Sequence, residues 1–135
     1  MTRLTARSLT SALAPAAFVL AAGVAAHAGP IQPFTTQAFK AAQSSGRPIL
    51  VDAHADWCPT CRAQAPTISA LSRNPAFARL TILKLDYDKQ VDEKRALNIR
   101  HQSTLIAFVG SRETGRSTGV TDPAQIQALA GATLR

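Results

Sequence analysis

The chain has 135 residues, 46% of them hydrophobic, and a formal net charge of +7. That is enough apolar material for one small domain with its own core, and too much for a disordered polycation. The basic residues from Arg47 to Arg116 are scattered, and no basic run is interleaved with aromatics, so no nucleic-acid partner is expected.

The first 28 residues read apart from the rest. Arg3 and Arg7 give a basic start, an apolar stretch runs from about Ala12 to Ala26, and Ala26-His27-Ala28 is a small-x-small site. This is the three-part layout of a secretory signal peptide over residues 1–28. The stretch is short for a membrane-spanning helix, and Pro15 and Gly23 weaken it; an uncleaved N-terminal membrane anchor is the alternative. No cysteine stands just after the stretch to carry a lipid. The predicted domain is residues 29–135, its net charge lowered from +7 to +5 by loss of Arg3 and Arg7. Export implies a periplasmic location, an oxidising compartment where cysteines are usually paired.

Within the domain, Ile31 to Phe34 is a short extended lead-in interrupted by Pro33. Thr35 or Thr36 caps a helix to about Gln43, with Phe39 and Ala42 facing inward. Ser44 to Pro48 is a loop by composition, and Ile49 to Ala53 is an apolar run of the buried-strand type. Pro59 to Ser72 is helical, with Ala63, Ile68 and Leu71 apolar and Pro66 expected to kink it. Leu80 to Tyr87 reads as a strand, and Val91 to Leu97 as a short helix. Thr104 to Val109 and Glu113 to Thr118 are strands joined by Gly110-Ser111-Arg112. Pro123 to Leu134 closes the chain as a helix, with Asp122 at its N-cap. Strands alternating with helices predict an α/β fold: a central sheet, made mixed by the final hairpin, with helices on both faces.

The chemistry centres on Cys58 and Cys61, the only two cysteines. They follow the buried strand and open a helix, where a thiol ionises more readily and the thiolate is the reactive species. A disulfide closing so short a loop removes little unfolded-state entropy, which makes the pair a poor staple and a good redox device. A structural bridge is one rival. A zinc site is another, needing His54 or His101 to complete its shell; no metal is expected. Asp52 is a carboxylate inside an apolar run, a placement that raises its pKa and suits it to proton transfer. Trp57 belongs either to the docking face beside the cysteines or to the core. His101 reads as an exposed loop histidine.

Together these residues carry a resemblance. Ile49-Leu50-Val51-Asp52, Ala55-Asp56-Trp57-Cys58-Pro59-Thr60-Cys61-Arg62, Pro66, Lys84, the stretch Asn98 to Leu105 and Gly119 look like the strand, active-site motif and following landmarks of the thioredoxin family. The resemblance covers nearly all of residues 29–135 and implies the thioredoxin fold. It implies that Cys58 is the nucleophile, its sulfur exposed, and that Cys61 is the more buried resolving thiol. Asp52 is then the proton acceptor for Cys61, with Lys84 tuning it. Trp57, Pro59, Thr60, Ser103 and Thr104 are the implied substrate-binding residues, with client backbone docking as an added strand. The redox-active Cys58–Cys61 disulfide is the only redox group implied, with no cofactor.

There are departures. Ser103 stands where the family has a cis-proline that shapes the substrate groove and keeps metals from the thiols. The Gln102–Ser103 bond is expected to be trans, because a cis peptide without proline costs about 3–4 kcal/mol. Pro59-Thr60 replaces the Gly-Pro of thioredoxin, and His54 stands where an aromatic is usual. The implied function is a thiol–disulfide oxidoreductase that reduces client protein disulfides, fed by a membrane electron-relay protein and acting as a monomer. Family oxidases place a histidine between the cysteines and carry a helical insertion, and neither occurs here. A disulfide oxidase or isomerase, or a binding module that merely retains the cysteines, are the alternatives.

Overall fold

The computed structural model describes residues 29–135, and the predicted leader over residues 1–28 lies outside them. The chain order is β1 (Gln32–Pro33), α1 (Thr36–Ser44), β2 (Pro48–His54), α2 (Pro59–Arg73), β3 (Thr81–Asp86), α3 (Val91–Ala96), β4 (Thr104–Val109), β5 (Arg112–Thr118) and α4 (Pro123–Gly131). The strands form one mixed sheet in the order β1-β3-β2-β4-β5. β3 runs parallel to β1 and β2, while β4 runs antiparallel to β2 and β5. The predicted α/β architecture is present.

Local chemistry explains the boundaries. Thr35 caps α1, its hydroxyl accepting from the Ala38 amide at 3.0 Å. Asp122 caps α4 in the same way, accepting from Ala124 at 2.7 Å, with Pro123 at the first helical position where its missing N–H is harmless. α4 ends sooner than the sequence pattern predicts, at Gly131, and a 3-10 turn completes the chain from Ala132 to Leu134. The β4–β5 connection is tightened by Gly110 at φ +56°, where a Cβ would lie 3.3 Å from the Gln43 carbonyl oxygen.

Every residue of β2 is buried, because helices cover both faces of the sheet. Alternation along the strand sorts its side chains. Ile49, Val51 and Ala53 join Phe39 of α1 and Leu83, Leu85 and Phe108 on one face. Leu50 joins Ile68 and Leu71 of α2, Ile82, Leu105 and Ile126 of α4 on the other. Asp52 and His54 are in phase with Leu50, so they lie on the face that α2 covers. β3 is central too, which is why Leu83 is as buried as Ile82 instead of facing solvent. α2 turns Cys61, Gln64, Thr67, Ile68 and Leu71 inward. Ala63, predicted on that apolar face, is instead exposed, since the Cys61 phase puts residue 64 inside.

The two sheet edges are guarded differently. β1 is two residues long and contains Pro33, which has no N–H to offer a further strand. β5 carries Arg112, Glu113 and Arg116. Arg116 forks onto both Glu113 oxygens at 2.8 and 2.9 Å and also donates to the Asn98 and Leu97 carbonyls.

Leu50 is wholly buried between the sheet and α2. Leu50→Ala is expected to lower unfolding free energy by about 2–5 kcal/mol in urea titration with an unchanged m-value.

Candidate active site

The site forms where the end of β2 hands over to α2. Cys58 is the N-cap of α2, with extended backbone (φ −80°, ψ 115°), and Pro59 occupies the first turn. Its Sγ accepts from the Cys61 amide at 3.1 Å. A sulfur in this position faces the positive end of the helix. The predicted exposure of this sulfur is not found: Cys58 is 1% exposed. Capping turns the sulfur in toward the helix amides, and Ala55, Cys61 and Tyr87 close around it. Both cysteines are free thiols.

Cys61 sits one turn on, wholly buried, its Sγ 4.0 Å from the Ala53 carbonyl oxygen. Burial pushes its thiol up to about 11; the Cys58 thiol adds to the rise, while the backbone amides of Ala55 and Ser103 oppose it. A thiol held there is protonated at neutral pH and needs a base to become a nucleophile. Asp52, 4% exposed on the α2 side of β2, has its carboxyl pushed up to about 6 by burial, with the Lys84 charge pulling the other way. Asp52 and Lys84 are direct neighbours in the parallel β2–β3 register, although the Lys84 side chain reaches solvent. Asp52 Oδ1 is buried without a hydrogen-bond partner. Oδ2 lies 4.0 Å from Nδ1 of His54, whose Nε2 lies 3.4 Å from the solvent-exposed Asp56 carboxylate. Burial, seconded by Lys84, pushes the His54 pKa down, so a neutral imidazole stands between the buried and the exposed carboxylate.

The other predicted residues divide. Trp57 is 57% exposed, its indole N–H donating to Asp88 at 2.9 Å, which settles its place on the surface and not in the core. Pro59 is exposed and Thr60 half-buried at the same rim. Ser103 and Thr104 lie beside the cysteines but are buried, and their side chains bond within the loop. Ser103 Oγ donates to the Gln102 carbonyl, while Thr104 Oγ1 donates to the His101 carbonyl at 2.7 Å and meets Thr118 Oγ1 at 2.9 Å. A client can meet this loop through backbone, not through these two side chains. The Gln102–Ser103 bond is trans, as expected, and Ser103 adopts the left-handed region at φ +58°. His101 is exposed in that loop, as predicted. No group of three or more His, Cys, Asp or Glu is placed to hold a metal among the described residues. Gln64 does not stand among the predicted residues, yet it is fully buried one turn beyond Cys61 and bonds to the Ser103 loop. The signal that finds it is spacing: three residues past Cys61 is the same helix face.

A helix-capping dithiol beside a buried carboxylate, on a β-α-β unit followed by a hairpin and a helix, defines a class. The family model described as Thioredoxin matches residues 30–132, and the chain belongs to the thioredoxin family of thiol–disulfide oxidoreductases, which work through a cysteine pair. It is 31% identical over 90 residues to thioredoxin of Alicyclobacillus acidocaldarius, covering 67% of this chain and 85% of that one. It is 35% identical over 96 residues to thioredoxin-2 of Pyricularia oryzae, covering 71% of this chain but spanning only 54% of that relative's length. Among solved structures, Trxlp of Edwardsiella tarda is 37% identical at a TM-score of 0.71, with 74% of this chain and 98% of that one covered. Malassezia sympodialis thioredoxin shares the fold at a TM-score of 0.70 and 24% identity, over 81% and 97% of the two chains.

The Asp52 carboxyl fixes a pH dependence. Its ordinary value of 3.8 is raised to about 6, so the folded chain holds this proton more tightly than the unfolded one. The cost of burial is absent below about pH 4 and complete above about pH 6, where it reaches about 3 kcal/mol. Asp52→Asn should therefore be more stable than the parent at pH 8, with the difference closing below pH 4 in thermal melts. A parent that is the more stable at pH 8 would contradict this account.

Proposed function

We propose that the chain is an exported reductase of protein disulfides, working as a monomer through a Cys58/Cys61 dithiol–disulfide cycle. The observation that carries this reading is the asymmetry of the pair. Cys58 caps a helix N-terminus, whereas Cys61 is a high-pKa thiol behind it, with a buried carboxyl poised near neutrality on the adjoining strand. The Cys58 thiolate attacks one sulfur of a client disulfide, forming a Cys58–client bond and releasing the other client sulfur as a thiolate. Cys61 then loses its proton to Asp52 and attacks Cys58 Sγ. The client leaves as a dithiol once both its sulfurs are protonated, and a Cys58–Cys61 disulfide remains. Two electrons have moved from the protein to the client. Exposed Trp57 and Pro59 form the rim that meets the client. The leader-like residues 1–28 support a periplasmic location. There a membrane electron-relay protein returns the two electrons, since an oxidising compartment supplies none.

The reduction potential of the purified 29–135 domain, set against glutathione or dithiothreitol buffers, tests the direction. A value near about −270 mV is expected; one near about −120 mV would make the chain a disulfide donor. Cys61→Ser is expected to accumulate a mixed disulfide with a client through Cys58, visible on non-reducing gels, and Cys58→Ser is expected to form none. A Cys58→Ser variant that kept full function would point instead to a binding module.

A further inference from the structure

Gln64 is a costly residue to find in its position. It is fully buried on the inner face of α2, where Ile68 and Leu71 continue the same stripe. Its Nε2 donates to the Ser103 carbonyl at 3.2 Å and to the Val120 carbonyl at 2.8 Å. Both neighbours of that atom are carbonyl oxygens, so the amide has one permissible orientation. Its Oε1 is then left buried with no partner. An orphaned acceptor of this kind is destabilising, and a leucine here would avoid it. Something must be gained in exchange.

The gain lies in what the two bonds hold. Ser103 precedes β4 and Val120 follows β5, so one side chain ties the cysteine-bearing helix to both ends of the hairpin. Ser103 is in the left-handed region, which a residue with a Cβ enters only at a cost and holds only when its surroundings fix it. Its surroundings do so: Ser103 N donates to Ala53 O at 2.8 Å, and its carbonyl accepts from Gly119 N at 3.0 Å as well as from Gln64. The Ala53 carbonyl oxygen that takes the Ser103 N–H also lies 4.0 Å from the Cys61 sulfur. Gln64 thus reaches, through Ser103 and the Ala53 carbonyl, the thiol carried one turn earlier on its own helix.

We propose that Gln64 is a positioning residue for the resolving step: it holds the strained Ser103 residue so that its N–H stays on Ala53 O, the carbonyl beside the Cys61 sulfur. In this chain a side chain of α2 supplies the rigidity that a proline would give the loop. The titratable groups about this site are the Cys58 thiol at the head of α2, Tyr87 packed against the cysteine cluster, Asp52 and His54 on the β2 face that α2 covers, and Lys84 beside Asp52 in the β2–β3 register. Ala53 O, engaged by the Ser103 N–H, is left a weaker acceptor for the Cys61 thiol, and that engagement depends on Gln64.

The proposal rests on Cys61 being the resolving thiol, and one experiment separates the two. The reduced domain, mixed in stopped flow with an aromatic disulfide such as dithiobis-nitrobenzoate, releases one coloured thiolate when Cys58 attacks. It releases a second when Cys61 displaces the other from Cys58. Gln64→Leu is expected to slow the second phase about tenfold at pH 7, a loss the size of one net hydrogen bond. It should move that phase's pH midpoint upward and leave the first phase within about twofold. Adding Ser103→Gly, which holds a positive φ without strain, should restore much of the second phase. Gln64→Met, unbranched and of similar length, serves if the leucine variant folds poorly. A second phase unchanged in rate and pH midpoint in a folded Gln64 variant, or equal slowing of both phases, overturns the proposal. A second phase that survives Cys61→Ser overturns the resolving role itself.

Discussion

The structure depends on how the N-terminus of α2 is satisfied. The first amides of any helix lack intrahelical partners and must find acceptors. Here one acceptor is the Cys58 sulfur, taking the Cys61 N–H. This single contact starts the helix, fixes the reactive atom at its positive end and brings the second cysteine onto the same buried face. Cys58 is hidden because Ala55, Cys61 and Tyr87 close around its sulfur. The remaining features follow from where the helix lands. It covers the β2 face carrying Asp52, which desolvates that carboxyl, and it brings Gln64 against the Ser103 loop.

Much of this was legible in the sequence, and the exceptions have physical causes. The Ile49–Ala53 run could only be a buried central strand, and Thr35 and Asp122 marked helix starts through side-chain oxygens that serve the same end in any context. The Asp-Trp-Cys-Pro-Thr-Cys motif located the cysteine pair at the head of α2. Asp52 was legible because a charge in an apolar run has few explanations. Gln64 was not, because a glutamine on a helix is ordinary until the partner across the molecule is known; Val120 is 56 residues away. The same holds for Thr104, whose hydroxyl is used up by His101 and Thr118 instead of lining a surface. Long-range hydrogen bonds decide which polar residues face inward, and no local pattern announces them.

The exchange of proline for serine at residue 103 shows how a constraint can move between elements. The loop keeps a trans peptide and accepts a left-handed residue. Stiffness that is covalent in a proline ring becomes, here, a set of hydrogen bonds from β2, the segment before α4, and α2. Such a set is cooperative and depends on geometry, so this loop is coupled to the packing of its neighbours more closely than a prolyl loop is.

The contrast between the sheet's two borders has a bearing on self-association. Extended polypeptide pairs with open strands wherever a sheet leaves one. Neither border invites it. At one, Pro33 interrupts a strand of two residues; at the other, the Arg116–Glu113 fork sets charge along the outermost ladder. Both flanks of the sheet therefore refuse a further strand. Colloidal stability is thus assigned to the sides of the sheet, away from the cysteine end.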